Sequence, residues 1–226
     1  MSSVVILVAG AGLIVGVLAS YALLPPPLTT GWAGEFPYGR AYRLTGGTLT
    51  SLCFIAALVL VPAYVLQIAS IQGLRPQAGN GVRRFGLASA AAFALLSGLT
   101  YAVQLTVVRL AILNGEDYDP LGWLVFQNPG SPMLAADFLG WFLLGAAFLS
   151  VVPSFKTGRL ETAIRWALVS SAAVGNALVL ILAREDPGTG LLFLGATTAL
   201  LVSADIPLIV FFKRLLNAPA AQRTPT

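Results

Sequence analysis

Six long apolar stretches run through the sequence of 226 residues and limit what the chain can fold into. A helix needs roughly 20 apolar residues to cross a hydrocarbon core about 30 Å thick. Only 10% of the residues are charged, against about 25% in soluble domains, so a soluble fold could not cover its surface. We therefore predict an all-α, polytopic membrane helix bundle that forms one transmembrane domain. The six predicted transmembrane helices lie near residues 3–24, 44–69, 85–112, 132–154, 162–183 and 190–212.

Proline and glycine mark several ends of these stretches. Residues 25–27 are three consecutive prolines, which cannot continue the first helix. Ser131 followed by Pro132 is typical of an N-cap and a first helical position at the start of the fourth helix. In the loop before it, Asp119 and Pro120 form a similar pair ahead of several apolar residues. This pattern predicts a short interfacial helix near residues 120–127.

The charges between the stretches predict the orientation. The 70–84 loop carries three arginines and no acid, whereas the 113–131 loop carries three acids. By the positive-inside rule, both termini are expected in the cytoplasm, with the chain in the cytoplasmic membrane of a bacterial-type cell. Arg40 and Arg43 would then flank the second helix on the outer side. The alternative that residues 3–24 are a cleaved signal is not favoured, because the start lacks basic residues and the apolar run is long.

The residue types that are missing exclude several classes of function. The sequence has no histidine and one cysteine, Cys53, so His-ligated haem, zinc sites and Ser-His-Asp triads are excluded. No motif for nucleotide binding, zinc proteolysis or a serine nucleophile occurs. We therefore predict no catalytic residue, no metal site and no cofactor. The net charge of +4 is spread over helix ends, which favours lipid headgroups over nucleic acid as the partner.

Asp205 is the most deeply placed ionisable residue in the predicted spans. It precedes Lys213 by eight residues, roughly 12 Å along a helix. Pro207 removes the backbone hydrogen bond to the carbonyl of Ser203, so Ser203 and Asp205 mark a locally broken helix that could bind a cation or a proton. The alternative is a structural Asp205, either protonated or paired with Arg165.

Other polar residues in the spans are candidates for a polar path. Arg109 and Asp137 fall at similar depths on consecutive antiparallel helices, which suggests a pair near the outer face. Tyr101 and Gln104 share a helix face and, with Asn176, could line a cavity. The alternative for this group is interhelical hydrogen bonding, worth about 0.6 kcal/mol on average.

Three functions remain open at this stage. The first is a non-catalytic accessory, assembly or interaction subunit that binds other membrane subunits or a second copy of itself. The second is a small transporter or channel that uses Asp205 together with Asp137, Arg109, Gln104 and Tyr101. The third is an intramembrane enzyme acting on lipids, which would need two acids close together near one membrane face. The lack of catalytic motifs favours the first.

Overall fold

The structure, a computed structural model, is almost entirely helical in the residues that it describes. The described residues are 10, 48–73, 79–114, 119–125, 130–155, 158–182, 203–215 and 217. No strand occurs within these ranges, which confirms the all-helical class. Apart from Gly10, the first predicted span lies outside the described residues. The same holds for the loop after this span and for the first part of the sixth predicted span.

The first half of the described chain is a helical hairpin. Helix α1 covers Thr48–Gly73, and α2 covers Asn80–Val103. The second helix continues without a break through a π-helical segment, Gln104–Val108, and then through α3, Arg109–Asn114. A π-helix has wider turns than an α-helix, so residues beyond the segment are rotated relative to an uninterrupted helix.

The second half adds three more long elements. A short 3-10 helix covers Asp119–Leu124 and is followed by α4, Pro132–Val151. One turn of 3-10 helix, Val152–Ser154, leads to α5, Arg159–Leu182. Residues 203–215 are helical and are called α6 here.

Three stretches of the described chain are long and apolar enough to cross a membrane. They are Ser51–Gly73, Asn80–Asn114 and Pro132–Ser154, which coincide with the second, third and fourth predicted spans. Their outward faces carry large apolar side chains such as Leu95, which is 70% exposed. This surface suits lipid, since soluble monomers rarely expose large apolar faces of this kind.

Among the described helices, α2 and α4 make the most extensive contact. At two points a small residue lets their backbones approach closely. A Cβ atom at Gly86 would collide with the side chain of Ser150, and one at Gly140 would collide with the hydroxyl of Ser97. Close approach at small residues is the usual way in which membrane helices associate.

Aromatic rings fill the space between α1, α2 and α4. The Tyr64 ring lies 5.7 Å from that of Phe148 and 6.4 Å from that of Phe93, in edge-to-face arrangements. Phe93 in turn lies 5.6 Å from Trp141. Such offset contacts are favourable for aromatic pairs, so these rings form a rigid core between the two ends of the bundle.

The two ends of the bundle differ in charge. At one end, called the capped end, residues 119–125 of the connection between α3 and α4 pack against α4 and the π-helical segment. At the other end, called the basic end, α2 and α5 begin. Helix α6 also ends there, since the ring of Phe211 in α6 lies 5.4 Å from the ring of Phe155. The exposed or partly exposed cations at this end are Arg83, Arg84, Arg159, Arg165, Lys213 and Arg214.

Candidate functional site

Two buried polar clusters lie in the described bundle, and each contains one aspartate. The Asp137 cluster consists of Ser97 and Tyr101 on α2 with Asp137 and Trp141 on α4. The Asp205 cluster consists of Tyr64 and Gln67 on α1 with Asp205 on α6. All seven side chains are buried, with 5% or less of their surface exposed.

The start of α4 positions Asp137. The Ser131 hydroxyl accepts a hydrogen bond from the Met133 backbone nitrogen at 3.1 Å, as an N-cap does, and donates to the Trp123 carbonyl oxygen at 2.7 Å. Pro132 occupies the first position of the helix. Asp137 therefore lies in the second turn of α4, near a helix start that the Ser131 hydroxyl attaches to Trp123. Residues 119–125 are called the capping residues.

Trp141 supplies the hydrogen-bond donor for Asp137. It lies four residues further on the same helix face. Its indole nitrogen is 3.2 Å from Asp137 Oδ2 and 3.1 Å from the Tyr101 hydroxyl oxygen, so one N–H serves two acceptors. Within the described part of the chain, Asp137 Oδ1 and the Ser97 hydroxyl oxygen have no hydrogen-bond partner that meets normal geometry.

The predicted pair between Arg109 and Asp137 is not formed. The carboxyl of Asp137 accepts from Trp141 instead, and the buried Nε of Arg109 has no partner among the described residues. A π-helical segment, Gln104–Val108, precedes Arg109, and such a segment rotates the residues after it relative to an uninterrupted helix. The sequence of Gln104–Val108 carries no proline or glycine that would indicate such a segment.

Gln104 and Tyr101 have different roles despite their three-residue spacing. Tyr101 belongs to the Asp137 cluster, and its ring packs on Phe54 at 6.0 Å. Gln104 donates a hydrogen bond to the Leu124 carbonyl oxygen at 2.7 Å and so holds the capping residues. Val125 completes this attachment by packing on α2–α3 side chains. Asn176 lies in α5, but its side chain is outside the described part of the structure.

The Asp205 cluster joins α6 to α1. Gln67 Nε2 donates a short hydrogen bond to Asp205 Oδ1. The Tyr64 hydroxyl lies one turn away on α1 and interacts electrostatically with the same carboxyl. Asp205 Oδ2 and the Tyr64 hydroxyl have no hydrogen-bond partner within the described ranges. The carboxyl faces a neighbouring helix, not lipid.

Two further sequence expectations concern the neighbours of Asp205. The pairing with Arg165 is not formed, because Arg165 is exposed on α5 and the amide of Gln67 occupies the carboxyl. Ser203 is exposed at the start of the described part of α6, whereas Asp205 is buried two residues later. The interpretation that Pro207 frees the backbone carbonyl of Ser203 for a bound cation or proton stays a prediction.

Sequence reasoning missed four members of the two clusters: Ser97, Trp141, Tyr64 and Gln67. The spacing of Trp141 from Asp137 was a usable signal, because a donor at i+4 lies on the same helix face. Gln67 was also visible as an amide near the end of an apolar run. Its pairing with Asp205 was not, since 138 residues separate the two.

The chemistry that the two clusters offer is limited by their composition. Each provides one carboxyl, hydroxyl groups and one uncharged nitrogen donor. Among the described residues, no group of three or more His, Cys, Asp or Glu side chains could hold a metal ion. Each carboxyl needs hydrogen-bond donors or a bound cation, because burying an unpaired charge is costly.

Comparison of the chain with models of protein families, with curated proteins and with solved structures gave no match.

Proposed function

We propose that this chain is a six-span protein of the cytoplasmic membrane that acts as a non-catalytic accessory, assembly or interaction subunit. The three membrane-compatible stretches support the membrane assignment. The cations gathered at the basic end support an orientation with that end, and both termini, in the cytoplasm. Partners of the lipid-facing surface would be other membrane subunits or a second copy of the chain.

One observation carries this proposal: both buried carboxyls are bound by side chains of the bundle. Asp205 is hydrogen-bonded to α1 through Gln67, and Asp137 is hydrogen-bonded to Trp141 within the α2–α4 contact. Residues that serve a solute path are expected to line a water-filled cavity between helices. Here each carboxyl is covered by side chains of the bundle, which favours a role in holding the helices together.

The test is purification of the chain at its native expression level in a mild detergent or a polymer nanodisc. We expect a stoichiometric membrane partner or a second copy, detected by native mass spectrometry of the intact assembly. A matched sample carrying Leu95→Lys on the exposed face of α2 controls for specific association through that face. A monomer without any partner, under conditions that keep the fold, would contradict the proposal.

The second candidate, a small transporter or channel, is favoured by the oxygens without hydrogen-bond partners. Asp137 Oδ1 and Asp205 Oδ2 both retain capacity to bind a proton or a cation. This candidate predicts cation- or proton-dependent uptake into liposomes that Asp205→Asn abolishes. The third candidate, a lipid-modifying enzyme, has less support, because the two acids belong to separate clusters on different helix pairs.

A further inference from the structure

The Asp137 carboxyl is fully buried, and no cationic side chain among the described residues pairs with it. Its exposed surface is 0%, and the indole N–H of Trp141, which it accepts, is shared with the Tyr101 hydroxyl. Arg109, the nearest cation along the neighbouring chain segment, does not pair with it. The buried carboxylate therefore needs a positive charge or a bound proton, which the side chains of this cluster do not supply.

The hydrogen bonds of the cluster indicate which atom of Asp137 can bind a proton. Asp137 Oδ1 and the Ser97 hydroxyl oxygen are both buried and both lack a partner in the described structure. Ser97 and Tyr101 lie close enough to interact with the Asp137 carboxyl. A carboxyl that carries a hydrogen on Oδ1 becomes a donor, and the hydroxyl oxygen of Ser97 can accept. A proton on Oδ1 therefore has an acceptor in Ser97, and an unprotonated Oδ1 can instead accept the hydrogen of the Ser97 hydroxyl.

The packing favours a proton over a metal ion. A Cβ atom at Gly140 would already collide with the Ser97 hydroxyl, so α2 and α4 are in contact at this level. A dehydrated alkali ion would need room and several oxygen ligands at the same place. A proton bound to a carboxyl oxygen needs no additional space.

We propose that Asp137 is a proton-binding site between α2 and α4. Uptake forms an O–H bond at Oδ1, with the proton delivered by a hydronium ion that leaves as water. Release breaks the same bond and returns the proton to water, leaving a carboxylate bound to Trp141. No electron is transferred in either direction, and no other reactant is needed.

Residues 119–125 lie at the end of the bundle nearest to this site. Asp137 lies five residues after Pro132, which is roughly 8 Å along the helix from the capped end. Residues 119–125 cover that end and are held by Gln104 at Leu124 and by Ser131 at Trp123. Proton exchange with solution is therefore expected at the capped end and to be faster when this cover is loosened.

Few other ionisable groups face the site, so its titration belongs to Asp137. Of the described titratable side chains, Tyr101 on α2 is the one that faces this carboxyl. Helix α1 contributes Phe54, which packs on the Tyr101 ring. The described capping residues at 121–125 carry no ionisable side chain. This site does not depend on the proposed function, because a subunit and a transporter can both bind a proton.

The experiment uses the indole of Trp141 as a reporter in the full chain, reconstituted in nanodiscs. Trp32, Trp123 and Trp166 are replaced by Phe, and emission is recorded as pH is varied over the range in which the protein stays folded. We expect a one-proton step in emission that disappears in Asp137→Asn. The matched variant Asp205→Asn is expected to retain the step.

A flat emission profile, or the same step in Asp137→Asn, would overturn the proposal. Repeating the titration at high and low sodium distinguishes a bound proton from a bound alkali ion. A step whose midpoint pH changes with the sodium concentration would indicate an alkali-ion site and would also overturn the proposal. If Asp137→Asn does not fold, infrared difference spectra of the parent and of Asp205→Asn replace it. A pH-dependent carboxylic-acid band in both supports the site, and its absence from Asp205→Asn contradicts it.

Discussion

The two aspartate clusters are alike in burial but differ in what they connect. Asp137 binds a residue of its own helix and lies in the contact of two helices that follow one another in the chain. Asp205 binds Gln67, which is 138 residues away, and so ties a late helix to an early one. An intramembrane carboxyl can therefore belong to a local cluster in one place and join helices distant in the chain in another.

The Asp137 cluster depends on the α2–α4 contact, so widening that contact should have the largest effect. In Gly86→Ala, the added Cβ meets both the Cβ and the hydroxyl of Ser150. We expect a loss of about 1–3 kcal/mol in the free energy of unfolding, as for overpacked cores. Thermal or denaturant unfolding in detergent micelles measures it.

Gly98 is the matched control for that substitution. It lies on the same helix, and the nearest atom to its added Cβ, in Val61, is 3.9 Å away. Gly98→Ala is expected to be neutral or to stabilise the helix by up to about 1 kcal/mol, because alanine has the higher helix propensity. Equal destabilisation by the two substitutions would show that α2 and α4 do not approach at Gly86.

The Asp205 cluster is broken most cleanly by removing its donor. Gln67→Leu leaves the Asp205 carboxyl buried without its amide, which is expected to cost about 1–2 kcal/mol of stability. The double variant Gln67→Leu/Asp205→Leu should recover much of that loss, since removing both polar partners can be nearly neutral. A double-mutant cycle from unfolding curves gives the coupling, and purely additive effects would mean that the two residues do not interact.

Removing the donor of Asp137 is expected to have a smaller effect on stability. Trp141→Phe keeps a ring against Phe93 but deletes the N–H that serves Asp137 and Tyr101. A lost interhelical hydrogen bond in a membrane costs about 0.6 kcal/mol on average. Unfolding of this variant beside Trp166→Phe, whose indole is exposed, measures the difference. A larger loss in the Trp166 variant would contradict the assignment.

The smallest effect on global stability is expected for a substitution that releases residues 119–125. Gln104→Ala removes the bond to the Leu124 carbonyl and frees residues 119–125, while the helices keep their contacts. Local opening of this kind raises hydrogen exchange without lowering global stability by more than about 1 kcal/mol. Exchange at 119–125 should rise in Gln104→Ala and stay unchanged in Thr106→Ala, whose hydroxyl bonds within its own helix. Unchanged exchange in both would contradict the role of Gln104.

Hydropathy was sufficient to predict the helical class and the positions of three apolar helices, because lipid forces backbone groups to bond within each helix. The burial of Asp137 and Asp205 also followed from their places in apolar runs. Their partners did not, since side-chain pairing between helices depends on rotation and spacing that hydropathy does not report. The unformed pair of Arg109 with Asp137 illustrates this, since similar depth on two neighbouring helices did not reveal that Asp137 accepts from Trp141 instead.

The central claim is that Asp205 faces a helix and not a water-filled path. Maleimide labelling of Asp205→Cys in a Cys53→Ala background, with the exposed Lys213→Cys of the same helix as reference, tests it most directly. A water-soluble reagent, applied to open membranes, is predicted to label the Lys213 variant readily and the Asp205 variant only after denaturation. Labelling of both variants at similar rates in the folded protein would contradict the account and favour a transport path.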